Sequence, residues 1–311
     1  MPSSMIRVAA DPHELAAAVR MLGTDFTVTR SGTFAAEVTR IDLHTVWMQR
    51  GQESLPRIMQ YDQTPLRFGF VFFGGPDTHI TINGITPSIT DLVLQPGGLS
   101  YSHVSDGPAE WGSLSLPMAE AQELCGLLAC HDLKRAPSGP TVIAAPIALA
   151  RLQRVHAAAT RLAETAPEVI ANPEAARGLE QTLIHALVGC LQETERDQWR
   201  PYRHAIILRR FRHALEDEPD RPLYIPELCA AIGVAERTLR ACCQEHLGMS
   251  PKRYLLLRRL HLAHRALRDS VPNGTNVTEI ATRYGFWELG RFAVAYKVLF
   301  GESPSTTLRR A

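Results

Sequence analysis

Arg237, Arg240, Ala241 and Gln244 fall at i, i+3, i+4 and i+7. On a helix they share one stripe. Arginine presents a planar fork of donors that matches O6 and N7 of guanine, and glutamine pairs with the adenine edge. Two arginines and a glutamine near the start of an exposed helix can therefore read base edges in a major groove. The same side chains are also ordinary solvated groups, so the reading depends on what holds the stripe. A second stripe, Gly290, Ala293, Val294 and Lys297 with Arg291 beside it, is poorer in donors. Alanine and valine can touch thymine methyls, glycine lets the backbone approach, and only Lys297 and Arg291 bring charge. The first stripe is expected to carry more of the readout. The second is expected to anchor the backbone or read shape.

Both stripes sit in copies of one pattern, at 225–251 and 277–304. Glu227/Glu279, Leu228/Ile280, Gly233/Gly285, Leu239/Phe292, Gly248/Gly301 and Pro251/Pro304 come close to register, with one extra residue in the second copy. Each copy reads as a short helix, a glycine turn and a longer helix closed by Gly-x-Ser-Pro, which predicts helix-turn-helix motifs at 225–247 and 277–300. Pro226 suits a helix start and Gly233 a turn. Leu239, Cys242, Cys243 and Leu247 form the inner face of the first reader. Residues 251–268 form one continuous helical pattern, roughly 27 Å long at the helical rise. The duplex repeats every 34 Å or about that, so a stiff connector of this size can hold two readers in successive major grooves. Its Lys252, Arg253, Arg258, Arg259, Arg265 and Arg268 suit phosphate contact or a solvated face equally. A helix over 205–215, with Arg209, Arg210 and Arg212, opens this C-terminal domain.

The first half of the chain reads differently. Asp11 and Pro12 begin a short helix over 11–22. From Phe26 onward, β-branched and aromatic runs alternate with Gly, Pro, Asn and Asp, as in a sandwich or small barrel. Ile82-Asn-Gly-Ile85 carries the strongest two-residue hairpin signal. Residues 111–117 read as the last strand. Helical stripes follow within 118–133, 146–166 and 173–194. The last two either fold back on the β layer or pack against a second subunit. Polar residues 195–204 read as a linker. The expected fold is α+β: residues 1–194 as a barrel or sandwich with following helices, 195–204 as linker, and 205–311 as an all-α domain with the two motifs.

The run Asp91-Leu-Val-Leu-Gln-Pro-Gly-Gly-Leu-Ser-Tyr-Ser-His103 resembles the second half of a cupin motif. The first half of that motif would supply two histidines and a glutamate, and here it offers only His79, with His44 further off. The resemblance implies a barrel holding a small molecule, or nothing, without metal. His103 and Trp111 are the candidate effector contacts. A cupin-type metal enzyme with a DNA-binding tail is the alternative function, and it lacks a ligand set. A non-specific structural DNA-binding protein is another, and it leaves the arginine–glutamine stripe unused.

Charge is unevenly divided. From Ala205 onward there are 17 Lys/Arg against 11 Asp/Glu, a net +6, while the preceding residues carry 16 against 21, a net −5. A basic domain on an acidic one fits nucleic acid for the first only. No apolar run of about 18 residues exists to span a membrane, and the N-terminus has no secretion-signal pattern. Cys125, Cys130, Cys190, Cys229, Cys242 and Cys243 form no CxxC pair. Most sit on apolar helical faces, which suits a reducing cytoplasm.

The tandem motifs, the long connector and the ending Tyr284-Gly-Phe-Trp … Arg291-Phe-Ala-Val-Ala-Tyr-Lys … Phe300-Gly-Glu-Ser-Pro304 resemble the AraC/XylS family of bacterial transcription regulators over about 100 residues. Glu288, Leu289 and Gly290 depart from the family pattern, which usually has serines and a further basic residue there. The resemblance implies a two-domain regulator with no enzymatic activity and no cofactor. Its C-terminal half would bind double-stranded promoter DNA and most often activate transcription, with RNA polymerase as a partner. Its N-terminal half would sense a small-molecule effector or form a homodimer.

Overall fold

The computed structural model describes residues 1–75, 78–128, 139–193, 205–218, 221–270 and 276–310. It divides into two compact units. One holds Met1–Phe26 and Phe34–Arg203, the other Thr27–Thr33 and His204–Ala311. The expected linker at 195–204 lies outside the described residues.

The first unit is built on two antiparallel sheets. In chain order its elements are β1 (Ser3–Ala9), α1 (Pro12–Ala18), β2 (Leu22–Val28), β3 (Ala36–Asp42), β4 (Trp47–Glu53), β5 (Arg57–Asp62), β6 (Arg67–Gly74), β7 (Ile80–Ile82), β8 (Asp91–Gln95), β9 (Ser100–Ser105), β10 (Ala109–Pro117), α2 (Met118–Leu128), β11 (Thr141–Ala144), α3 (Pro146–Thr165), α4 (Pro167–Ala171) and α5 (Pro173–Glu193). The larger sheet runs β1-β3-β4-β10-β6-β8-β11 and the smaller β2-β5-β9-β7. Alternation along the strands gives the large sheet two different apolar faces. Val38, Val71, Phe73, Val93 and Trp111 join Met59, Tyr61, Ile80 and Tyr101 of the small sheet in one core between the sheets. Ile41, Met48, Phe70, Phe72, Leu92 and Leu114 point the other way and meet Leu149, Leu152, Leu183 and Leu187 of α3 and α5. The helical stripes expected to fold back or to dimerise are therefore covered by their own sheet.

Local chemistry explains the breaks. Asp11 Oδ1 accepts the His13 amide at 2.8 Å and caps α1, which stops at Ala18 rather than near 22 because β2 begins. Asn83 and Gly84, with φ of 49° and 82°, form the expected tight turn, closed by paired amide–carbonyl bonds between Ile82 and Ile85 at 2.7 and 2.8 Å. Residues 111–117 are not the last strand: β11 follows α2 and pairs with β8 at the sheet edge. Gly51 stands opposite Trp111 in the ladder. A Cβ there would come within 2.3 Å of the indole, so glycine is what lets that ring lie across β4.

The second unit is all helix apart from its Thr27–Thr33 segment: α6 (Ala205–Glu216), α7 (Ile225–Ile232), α8 (Glu236–Leu247), α9 (Pro251–Arg268), α10 (Val277–Arg283), α11 (Leu289–Phe300) and α12 (Pro304–Arg310). Its core around the second motif gathers Leu257, Leu260, Ala263 and Leu267 of α9 with Ile280, Phe286, Phe292, Tyr296 and Leu299. At the other end of α9, Tyr254 is buried and its ring lies 5.9 Å from Phe211 of α6.

Both inter-helix turns use a left-handed glycine, but with different surroundings. Gly233 (φ +72) has open space where a Cβ would point, whereas at Gly285 (φ +77) that atom would lie 2.5 Å from Pro222 Cβ. An L-residue in the left-handed region costs about 1–2 kcal/mol. Gly233→Ala should lose about that much in urea denaturation. Gly285→Ala should lose clearly more, because Pro222 must also move, and equal losses would mean that the Pro222 contact relaxes freely.

Candidate nucleic-acid interface

The two motifs are built alike. Tyr224 N–H donates to Glu227 Oε2 at 3.0 Å at the start of α7. Asn276 Oδ1 accepts the Glu279 amide at 2.8 Å at the start of α10. Each end thereby satisfies donors that a helix N-terminus leaves open. Gly233 and Gly285 reverse the chain after the first helices, and Gly248 (φ 68°) and Gly301 (φ 76°) close the second ones. Leu239, Cys242, Cys243 and Leu247 are fully buried, so the register of α8 is fixed by its apolar side. Phe292, Tyr296 and Leu299 do the same for α11. Tyr296 is held further by its hydroxyl, which donates to Thr307 Oγ1 at 2.8 Å.

With those faces inward, the stripes come out. Arg237, Arg240, Ala241 and Gln244 are exposed together on α8, and Gly290, Arg291, Ala293, Val294 and Lys297 are exposed at and along α11. Arg240 pairs with Glu236 at 2.8 Å, and Arg291 with Glu288 at 2.9 Å. Both pairs are solvated, and such pairs contribute at most about 1 kcal/mol. They hold the guanidinium groups extended without preventing their transfer to a nucleic-acid acceptor. Arg237 makes no ion pair among the described residues. Exposed apolar side chains flank the second stripe, Trp287, Leu289 and Val298, beside Val294 within it. Trp287 was not among the sequence candidates. Its exposure at a helix start is invisible to periodicity, because that position precedes α11.

Part of the basic charge on α9 has another task. Arg258 Nη2 donates to Leu215 O at the end of α6, at 2.7 Å. Arg259 is half-buried, donates to Gly285 O at 3.4 Å and lies 5.2 Å from the Phe286 ring. These two arginines brace α9 against both motifs, so the phosphate-contact reading is left to Lys252, Arg253, Arg265 and Arg268, which are exposed. Arg212 on α6 is buried beside Glu216. None of Cys190, Cys229, Cys242 and Cys243 forms a disulfide. Burial pushes the thiols of Cys190 and Cys242 up to about 12, away from reactive thiolate.

In the first unit, the structure places His103 and Trp111 deep between the sheets. Trp111 Nε1 donates to Glu53 Oε1 at 2.8 Å, and Glu53 Oε2 accepts Arg57 Nε at 2.6 Å in a fully buried pair. Arg57 Nη1 donates to His103 O at 3.0 Å. Tyr61 Oη donates to Gln95 Oε1 at 2.7 Å, and Gln95 Nε2 donates to His103 Nε2 at 3.0 Å. That nitrogen is therefore an acceptor and the ring is neutral. His44 Nε2 lies 3.0 Å from Pro173 O and His79 is exposed. Among the described residues no three His, Cys, Asp or Glu side chains gather as metal ligands, and no helix is long and apolar enough to cross a membrane.

Comparison with known proteins bears on the second unit. Residues 228–310 match the family model of a helix-turn-helix domain. A probable thc operon regulatory protein of Rhodococcus erythropolis is 41% identical over 95 residues, which is 30% of this chain and 29% of that protein. A XylDLEGF operon transcriptional activator of Pseudomonas putida is 38% identical over 96 residues, 31% of this chain and 30% of that one. The chain thus matches less than a third of the length of these relatives. The crystal structure of a probable AraC family transcriptional regulator from Rhodopseudomonas palustris CGA009 is 38% identical, covering 33% of this chain and 94% of that one, with a TM-score of 0.30. Residues 228–310 are thus a helix-turn-helix domain similar to those of operon regulators.

Burial and the Arg57 charge hold the His103 pKa well below its ordinary value of 6.5, and burial pushes His156 down to about 4. The native state keeps both neutral, while the unfolded chain protonates them near 6.5. Their contribution is complete above that pH and is lost as pH falls below it. The urea midpoint of the full chain should drop between pH 7.5 and 5, and less steeply in His103→Gln. Identical slopes would mean that His103 already carries charge in the native state.

Proposed function

We propose that the chain is a sequence-specific DNA-binding transcription regulator that places α8 and α11 in successive major grooves. The observation that carries this reading is the pair of exposed stripes on helices seated behind equivalent glycine turns and joined by the single helix α9, whose apolar side is buried. Arg237, Arg240 and Gln244 are the base-reading residues, with Ala241 against a base methyl or sugar. Gly290, Arg291, Ala293, Val294 and Lys297 form the second contact, weighted toward backbone and shape. The relatives' names include an operon activator, which supports activation and a meeting with RNA polymerase at the promoter. A DNA partner implies work in the cytoplasm. In this reading the chain is not an enzyme. Residues 1–194 sense an effector, and a homodimer would use a surface other than the stripes of α3 and α5.

Selection of bound sequences from random duplex DNA, at fixed salt, tests the reading. It should recover two short elements about one helical turn apart. A paired repeat of that unit would report a homodimer. No recovered motif, from either the full chain or residues 200–311, would defeat the sequence-specific reading.

Two substitutions separate the roles. Arg240→Ala should cost about 1–3 kcal/mol on the selected site and relax preference at one base pair. An equal loss on random DNA would make Arg240 a phosphate contact. Lys297→Ala should weaken all sequences alike and reduce the slope of log affinity against log salt by about one. An unchanged slope would remove Lys297 from the interface.

A further inference from the structure

The first unit holds a cavity that none of the candidates above describes. Its floor follows from strand register. Arg40 stands opposite Gln49, Gln49 opposite Ser113, and Ser113 opposite Val71. Two residues along each strand, Trp47, Ser115, Gly69 and Gln95 make the next row. Because side chains alternate, both rows face the small sheet. Two residues the other way, the row Val38, Gly51, Trp111, Phe73 fills the same face with large rings. Toward Trp47 the side chains shrink to Gly69, Ser113 and Ser115, and the layer opens. The result is a cavity of about 380 Å³, lined on one side by the segment Val19–Leu22 after α1. That volume lies within the range of small-molecule sites.

Its polar groups are unbalanced. Arg40 donates through Nη1 to Ala18 O at 3.3 Å, its Nε is buried without a partner, and it forms no ion pair among the described residues. Arg20 lies on the same cavity and is already paired with Asp42. Burial, then the neighbouring Arg20 charge, push the Arg40 pKa below its ordinary value. Guanidinium still carries its proton there, so a cation is held partly dry with one carboxylate shared between two arginines. Arg67, 3.6 Å above the Trp47 ring, adds a third positive charge nearby, and Glu120 adds a second carboxylate beside it, so three arginines face two carboxylates. Gln49 Oε1 accepts the Arg20 amide at 2.8 Å, while Gln63 has no side-chain hydrogen bond among the described residues. Val19, Met21, Leu22, Trp47 and Val71 supply the apolar part of the wall, beside the polar Thr64, Gln95, Ser113 and Ser115. A larger concavity of about 510 Å³ on this unit is lined by Glu37, Glu53 and Glu110, and those carboxylates disfavour an anion.

We propose that this cavity binds a small amphipathic organic carboxylate, its carboxylate on Arg40 and its apolar body against Val19, Met21 and Val71. Arginine takes a carboxylate through two parallel hydrogen bonds, which would give the Arg40 fork a charged acceptor and neutralise the excess charge. The proposal deepens the sensing role given to the first unit, and its regulatory meaning rests on that role. Binding itself does not.

The experiment uses the full chain and three acids of different shape: octanoate, 3-phenylpropionate and cyclohexanecarboxylate, each against its neutral amide. At least one acid should bind saturably by calorimetry and raise the melting temperature with concentration, as linkage requires. Its amide should bind at least about tenfold more weakly. Arg40→Gln should weaken the acid by about 10- to 100-fold, the worth of a charged hydrogen bond. Arg151→Gln, on an exposed position of α3, removes the same charge elsewhere and should change nothing. Failure of all three acids, equal binding of acid and amide, or indifference to Arg40→Gln overturns the proposal. Should Arg40→Gln not fold, the acid–amide comparison on the native chain decides alone. The DNA selection is read separately, so loss of one conclusion leaves the other standing.

Discussion

The C-terminal unit depends on one mechanical constraint: α9 must be a single stiff body with both motifs locked to it. Its 18 residues span roughly 27 Å at helical rise, short of a full duplex turn by an amount that the widths of the reader helices can supply. Stiffness comes from burial at both ends. Tyr254, Leu255 and Leu257 are buried toward one end, and Leu260, Ala263 and Leu267 toward the other. Ser250 Oγ accepts the Arg253 amide at 3.3 Å and Pro251 opens the first turn, so the start is fixed as well. A flexible tether would let two weak readers bind independently. A rigid one makes the second contact nearly intramolecular once the first has formed, which raises overall affinity without adding contacts.

That constraint explains why basic residues on α9 are not interchangeable. Counting charge alone would assign all six to the phosphate backbone. Geometry assigns Arg258 to the end of α6 and Arg259 to the Gly285 turn, where each satisfies backbone carbonyls that a helix or turn leaves exposed. Guanidinium suits this role because its stem packs while its fork reaches two directions. The basic surplus of the domain therefore overstates the charge available to a polyanionic partner. The readers differ in the same spirit. Helix α8 offers two arginines and a glutamine, whereas α11 offers one arginine and one lysine beside Val294 and Val298, with the exposed Trp287 just before it. The two ion pairs, Arg240–Glu236 and Arg291–Glu288, are local and solvated, so neither changes this asymmetry.

The C-terminal architecture was legible because its signals are local. Caps, glycine turns and buried stripes all lie within a few residues, and the repeat writes them twice. The first unit was legible as a β layer but not in detail. The run Arg57-Ile-Met-Gln-Tyr-Asp62 reads as mixed and polar, yet β5 is almost wholly buried, because Arg57 meets Glu53 and Tyr61 meets Gln95 inside. Such pairing depends on partners that periodicity cannot see. β1 was missed because six of its seven residues are exposed or half-exposed and its edge position leaves no clean alternation. His103 and Trp111 were the candidate effector contacts, and both are anchored in the interior by hydrogen bonds.

The cavity beside Arg40 failed to show in the sequence for a related reason. Arg20, Arg40, Gln49, Gly69, Ser113 and Ser115 are spread over nearly a hundred positions and carry no shared motif. Only the ladder sets them in adjacent rows, and only the alternation of strands turns them to one side. The contrast with the His103 network lies in how completely charge is answered. Around Glu53, Arg57, Tyr61, Gln95 and His103, nearly every donor has an acceptor, and Arg57 Nη2 is the exception. A satisfied buried network of that kind rigidifies a core. Around Arg40 the balance is one carboxylate short, the neighbouring side chains are small, and space remains. An arginine without its own ion pair on a half-open pocket, set against a neighbouring network that is almost fully answered, is a stronger pointer to a ligand than the presence of a histidine in either place.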